Sequence, residues 1–357
     1  MDPTEIADEL RAIEGRGPCS DAERRAARAL ARRLRATGRR PRTQTVWVRP
    51  GSAGLLAAVS ALGVAASVVS VDHPVVGLWM AVAALVAIPL TPLLTPRRAT
   101  QTVWGAREPA DGAVRLLLTC RADAQPVPLA ERALARARLP GPRVLLGLAL
   151  AALVAFAAVR TGGTGGKALG AAQLLPTAVC IAAVGAFLDA WVTRPRDAAA
   201  GPAAALAVLA ALDRSPPARL APEVVVAGPQ AMRAFLRAQR RAGTDATDVV
   251  VVELREGAPG FLLSDGGLLP QRFHPRLVAL LRGAAPARRG RSASPASAAR
   301  GARWPAIALE GGVDDLTQLT LGLVAALDRD LVETRPGAAD ATVRRGWTRL
   351  RRVRASR

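Results

Sequence analysis

Tyrosine is absent from the 357 residues, lysine occurs once, histidine twice and cysteine three times. Each shortage narrows the chemistry. Cys19, Cys120 and Cys180 are widely spaced, odd in number and form no Cys-x-x-Cys pair, which argues against a disulfide framework and against a thiolate zinc site. His73 and His274 leave little imidazole for metal or proton chemistry. A Walker loop and a Gly-x-Ser-x-Gly elbow are both missing, so P-loop and elbow-hydrolase chemistry have no motif to stand on. Residues 1–18 lack an apolar core, and no cleavable signal peptide is expected.

What is present is segregated. Half of the residues are hydrophobic and mean hydropathy is +0.21, yet formal net charge is +21. Such values coexist only if charge and apolarity occupy different blocks. Four stretches are free of charge over about the length that crosses a bilayer: Gly54–Val71, Pro74–Leu94, Val144–Val159 and Ala168–Leu188. The third is short, with Arg143 and Arg160 able to snorkel from its ends. They form two hairpins with short tips, Asp72-His73 and Thr161–Lys167. The tips and their edges carry two basic residues, Arg160 and Lys167, while Arg40, Arg42, Arg49, Arg97, Arg98 and Arg143 flank the opposite ends. The positive-inside rule therefore predicts an inner-membrane protein with both termini cytoplasmic. No ionisable residue lies deep in a span, so the helices read as anchors rather than an ion path.

The remaining segments predict one cytoplasmic α/β domain assembled from residues 1–49, 95–143 and 195–334. The hairpins occupy 54–94 and 144–192, and a basic tail follows from 335 to 357. Ser20-Asp21-Ala22-Glu23 matches a capping box opening a helix that stops at Gly38. Gln101–Trp104 and Val114–Thr119 are expected to pair as strands across a turn. Strand patterns at Glu223–Ala227, Val249–Leu254, Gly260–Ser264 and Ala306–Leu309 alternate with helix patterns, which implies a mixed sheet flanked by helices. Residues 286–303, rich in Ala, Ser, Arg and Pro, are expected to form a mobile loop. The arginines of the tail suit an anionic lipid surface. Nucleic acid is the weaker partner, since no recognised binding fold or aromatic platform accompanies them.

The order of elements resembles the aminopeptidase Y-like family of co-catalytic zinc exopeptidases, with the hairpins as insertions. The phrases that carry the resemblance are Gly17-Pro18-Cys19-Ser20 with Ala22–Ala27, Thr102-Val103-Trp104, and Leu116–Thr119. The resemblance implies a metal motif His-x-Asp after the last of these strands, where Arg121-Ala122-Asp123 stands instead. It implies a bridging aspartate near Asp197, in Asp197-Ala198-Ala199-Ala200-Gly201, where a linker aspartate is the competing reading. Gly228-Pro229-Gln230-Ala231 occupies the place of the Gly-x-Glu-Glu that supplies base and ligand, and Glu253 that of a later carboxylate ligand. The closing histidine has no counterpart in Glu310–Asp315. A guanidinium keeps its proton and offers no lone pair, so Arg121 cannot replace an imidazole ligand.

Three readings of function follow, the third being a membrane-organising protein whose basic tail does the main work by gripping anionic lipid or nucleic acid. In the first, Arg121, Asp123, Asp197, Gln230 and Glu253 are vestigial site positions, no catalytic or metal residues remain, no zinc is bound, and the domain binds a peptide or protein partner. In the second, a metal-dependent hydrolase persists around Asp123, Asp197, Glu253 and Asp314 or Asp315 with a hard cation. Cys120, beside Arg121, is a weak nucleophile candidate through a guanidinium-favoured thiolate.

Overall fold

The computed structural model describes residues 2–106, 113–124, 129–137, 139–163, 166–192, 198–266, 270–290 and 292–334. Asp197, Thr164 and Gly165 of the second tip, and the basic segment from Arg335 onward lie outside them. In chain order the elements are α1 (Pro3–Arg11), α2 (Asp21–Ala36), β1 (Arg40–Val48), α3 (Ala53–Asp72), α4 (Pro74–Leu94), β2 (Arg98–Ala106) and β3 (Val114–Cys120). Then come α5 (Leu129–Arg136), α6 (Pro142–Thr161), α7 (Lys167–Val192), α8 (Ala200–Arg214), β4 (Leu220–Val226), α9 (Pro229–Arg241) and β5 (Val249–Glu256). The last are β6 (Gly260–Asp265), β7 (Gln271–Arg272), α10 (Pro275–Leu281), β8 (Ala287–Arg289), α11 (Pro295–Gly301), β9 (Ala306–Gly311) and α12 (Val313–Thr334).

The chain divides into two compact units: an α/β unit from residues 1–48, 99–125 and 197–357, and a helical unit from 49–98 and 126–196. In the α/β unit nine strands form one mixed sheet, in the order β1-β2-β4-β3-β5-β9-β6-β7, with β8 beside β6. Four of them, β4, β3, β5 and β9, run parallel. Their apolar runs fit that centre, because a strand covered on both faces needs no polar alternation. The expected pairing of β2 with β3 is corrected: β4 lies between them, antiparallel to β2 and parallel to β3. A local turn signal reports proximity in sequence and cannot see a strand that arrives about a hundred residues later.

Successive strand residues point to opposite faces, and this places the helices. Trp104 meets Phe235 of α9 edge-on at 5.5 Å, whereas Gly105 faces Leu34 of α2. α2 is thus on one face and α9 on the other. The start of α2 keeps half of the expected capping box. Ser20 accepts from the Glu23 backbone N–H at 3.0 Å, but the Glu23 carboxylate accepts from Cys19 rather than from Ser20. The end of α2 is closed by Gly38 at φ 76°, with N–H bonds from Gly38 to Arg35 and from Arg39 to Leu34. That is the paired arrangement that satisfies the last carbonyls of a helix.

Residues 286–303 are not the loop expected of them. They contain β8 and α11, and Pro295–Ala299 are buried. Ser294 and Ser297 form a reciprocal capping box, and Ser294-Pro295-Ala296-Ser297 carried that signal in a segment whose composition alone suggested disorder.

The helical unit holds four helices long and apolar enough to cross a membrane: α3, α4, α6 and α7. Large apolar side chains face outward on them, among them Val68, Trp79, Leu93, Leu175 and Trp191. The interior is knit by a polar seam. Gln173 donates to the Ser67 carbonyl at 2.8 Å and to the Ser70 hydroxyl at 3.0 Å, and Ser67 and Thr177 share a hydroxyl bond of 2.7 Å. Asp189, near the end of α7, accepts from the Leu129 N–H at 2.7 Å and so caps α5.

Candidate functional site

In open α/β sheets the chemistry gathers beyond the carboxyl ends of the parallel strands. Arg121 and Asp123 follow β3, Gln230 opens α9 after β4, Glu253 is near the end of β5 and Glu310 near the end of β9. Four elements therefore deliver the sequence-selected positions to one end of the sheet. Asp197 lies outside the described residues.

Register fixes which side chains share a face. Thr119 of β3 pairs with Glu253 of β5, and Arg255 of β5 with Glu310 of β9. Two-residue alternation then sets Glu253, Arg255 and Glu310 on the face that carries α11. The Glu253 carboxylate accepts from the Ala296 N–H at 2.8 Å, at the start of that helix. Cys120 belongs to the other face, next to Gly201 of α8. An added Cβ on Gly201 would meet the Leu254 carbonyl oxygen at 2.3 Å, so only glycine allows α8 this close to β5.

The charged groups are paired and largely dry. Arg121 Nε donates to Asp123 Oδ1 at 3.0 Å, and its Nη2 donates to the other carboxylate oxygen. Arg255 bonds Glu310 at 2.6 Å and Asp265 at 2.8 Å. Asp265 also accepts from the Ser292 N–H at 2.9 Å, and Gly290 is pressed so near that a Cβ would lie 2.4 Å from Oδ1. Glu253 is 1% exposed and Asp265 0%, while the Arg121 side chain retains 14%. The segment from Ser292 to Ala299, the supposed loop, is what seals Glu253.

Burial sets the proton affinities. It raises the Glu253 carboxyl, with Asp265 adding to the rise and Arg255, the Ala296 N–H and Ser294 opposing it. Glu23, buried where α2 begins, is raised to about 7, mainly by burial and further by Asp123; the hydroxyl of Thr100, the Cys19 N–H and Arg121 pull the other way. Burial works against the charge of Arg121, but Asp123, Glu253 and Glu23 together outweigh it and the guanidinium is held more firmly protonated. Cys120 behaves opposite to the thiolate expectation. Burial raises its thiol, and Glu253 adds to the effect.

The remaining candidates separate. Gln230 is exposed on α9. Asp315 accepts from the Gly312 N–H at 3.1 Å at the head of α12. His274 is at the opposite end of the sheet, its N–H bound to the Ala306 carbonyl where β9 begins; burial, with Arg300 and Arg276, lowers it to about 4. His73 is at the tip between α3 and α4. Among the described residues no three His, Cys, Asp or Glu side chains are grouped so as to hold a metal ion. Glu23, Thr100 and Arg255 were missed as site members by sequence reading. Glu23 had a complete local explanation as a capping residue, and nothing local announces that a cap also faces Asp123.

No family model matches the chain. No curated protein matches it either. Among solved structures, the chain is similar to the glutaminyl cyclase of Fimbriiglobus ruber, with 13% identity, TM-score 0.49, and 91% of this chain and 95% of that one covered. It is similar to a leucine aminopeptidase precursor from Bacteroides thetaiotaomicron, with 11% identity, TM-score 0.48, and coverage of 91% and 94%. It is also similar to a putative zinc-dependent exopeptidase from Bacteroides vulgatus, with 10% identity, TM-score 0.47, and coverage of 92% and 93%. Similarity at this level concerns the course of the chain and assigns no activity.

Proposed function

We propose that this chain is a membrane-inserted, zinc-exopeptidase-like protein whose cytoplasmic α/β domain performs no peptidase chemistry and acts as a binding or scaffold module for a peptide or protein partner. The observation that carries this reading is Arg121, whose guanidinium donates to both carboxylate oxygens of Asp123 at the position where the resembled family places a histidine ligand. Among the described residues the donor set does not fit a zinc ion. A catalytic zinc takes three protein ligands from His, Cys and carboxylates, whereas here one carboxylate is held by arginine and another, Glu253, is sealed under α11. The general base is missing too, since Gln230 is an amide and exposed.

The helical unit supports membrane insertion. Its four long apolar helices leave large side chains exposed, which is costly in water and favourable in lipid. The arginines at one end of the hairpins support an orientation with both termini cytoplasmic. The basic tail is assigned to anionic lipid on the same side.

The test is metal content of the detergent-purified protein after equilibration with trace zinc, manganese and magnesium. It is combined with turnover assays on N-terminal aminoacyl and N-terminal glutaminyl peptides. A folded, metal-free, inert protein is expected. Near-stoichiometric zinc or manganese with turnover would overturn the reading and revive the altered hydrolase.

A further inference from the structure

We propose that Arg121 serves as a built-in cation: its fixed positive charge takes over the electrostatic task of the metal that the resemblance implies and allows Asp123 to be buried at one end of the sheet. This deepens the non-catalytic reading, on which it rests.

Three observations carry it. The first is geometric. Arg121 engages both oxygens of Asp123, and a planar fork on a carboxylate is the arrangement in which arginine is strongest. The second is burial. Asp123 and Glu23 are 3% exposed and Glu253 1%, so each carboxyl group has lost its water. Buried carboxylates demand a compensating charge or a proton. The third is placement. Arg121 stands two residues beyond Thr119, whose register partner is Glu253, and the fields of Asp123, Glu253 and Glu23 all act on its guanidinium. Arg255, the other guanidinium near Glu253, is committed by hydrogen bonds to Asp265 and Glu310. Arg121 donates to both oxygens of Asp123, and Arg16 donates to the neighbouring Ala122 carbonyl at 3.3 Å. A divalent ion would need lone pairs pointing at a common centre. A guanidinium needs only carboxylate edges in reach, and it never dissociates.

The experiment uses the full-length protein in detergent and follows unfolding by tryptophan fluorescence and by hydrogen exchange of β3 and β5 at pH 8. R121Q removes the charge and keeps a polar side chain. It should lower Tm by about 5 °C or more. D123N placed on R121Q should restore more than half of the lost stability, and R121K, which keeps the charge and loses the fork, should fall between R121Q and the wild type. If R121Q does not fold, recovery of folding by R121Q/D123N carries the same meaning, and failure to recover overturns the proposal. An R121Q protein as stable as the wild type also overturns it. Because this readout is made without metal, it can fail while the metal-free, inert reading stands, and the reverse holds for the metal-content test.

Discussion

At the scale of single residues, Glu23 makes the sharpest statement. Its carboxyl is raised from 4.5 to about 7, with burial as the main cause. An acid raised in the folded state binds its proton more tightly than in the unfolded chain. It therefore supports folding at acid pH and withdraws that support as pH climbs from about 4.5 to about 7. Glu23→Gln should remove this slope. A thermal pH series should find the variant flatter over that window and more stable than the wild type above pH 7, by on the order of a few kcal/mol. The amide can accept from the Cys19 N–H and donate to the Thr100 hydroxyl, so the bonds of the carboxyl have substitutes. Parallel pH curves would show that Glu23 is charged and compensated throughout. Residue identity also told most of what is known about Arg121 and Gln230, because a guanidinium offers a metal no lone pair and an amide is no general base. Cys120 could not be read this way. A thiol beside an arginine in sequence is governed in space by its burial.

At the scale of elements, α11 and the α3–α4 hairpin invite tests. Ser294 accepts from the Ser297 N–H at 3.2 Å, and its hydroxyl helps hold the Glu253 carboxylate. Ser294→Ala should cost about 1–2 kcal/mol. Hydrogen exchange should speed up first in residues 295–301, with Glu253 becoming more open to solvent. In the helical unit, a Cβ on Gly77 would lie 2.4 Å from that of Ser70, so the two helices touch through glycine. Gly77→Val should cost on the order of 1–3 kcal/mol by overpacking, read as a lower unfolding midpoint in detergent. An unchanged midpoint would mean that the hairpin is looser than described. The two cases differ in how they could be read beforehand. The apolar helices announced themselves over twenty residues each, and their extents came out close to the charge-free stretches. Seven residues of Pro, Ala, Ser, Arg and Gly did not, because their helix is held by burial and one capping box rather than by a periodic apolar face.

At the scale of the whole molecule the question is orientation. With both termini cytoplasmic, a single cysteine introduced at His73 in a cysteine-free background should react with an impermeant maleimide in intact cells. One introduced at Arg25, exposed on α2, should react only after lysis. The opposite pattern would invert the proposed topology, and labelling of neither before lysis would remove the membrane crossing at that hairpin.

The sequence by itself determined what depends on composition and short period: four apolar helices, and strands alternating with helices into a mixed sheet. Each follows from properties a residue carries everywhere, such as hydrophobicity and branching. Only the tertiary structure decided which strands are neighbours, that β4 enters between β2 and β3, and that residues 292–299 close over Glu253. It alone brought Glu23 to Arg121 and Asp123 from about a hundred residues away. Proton affinity, burial and ion pairing are sums over spatial neighbours, and a linear pattern does not contain those neighbours until the chain has folded.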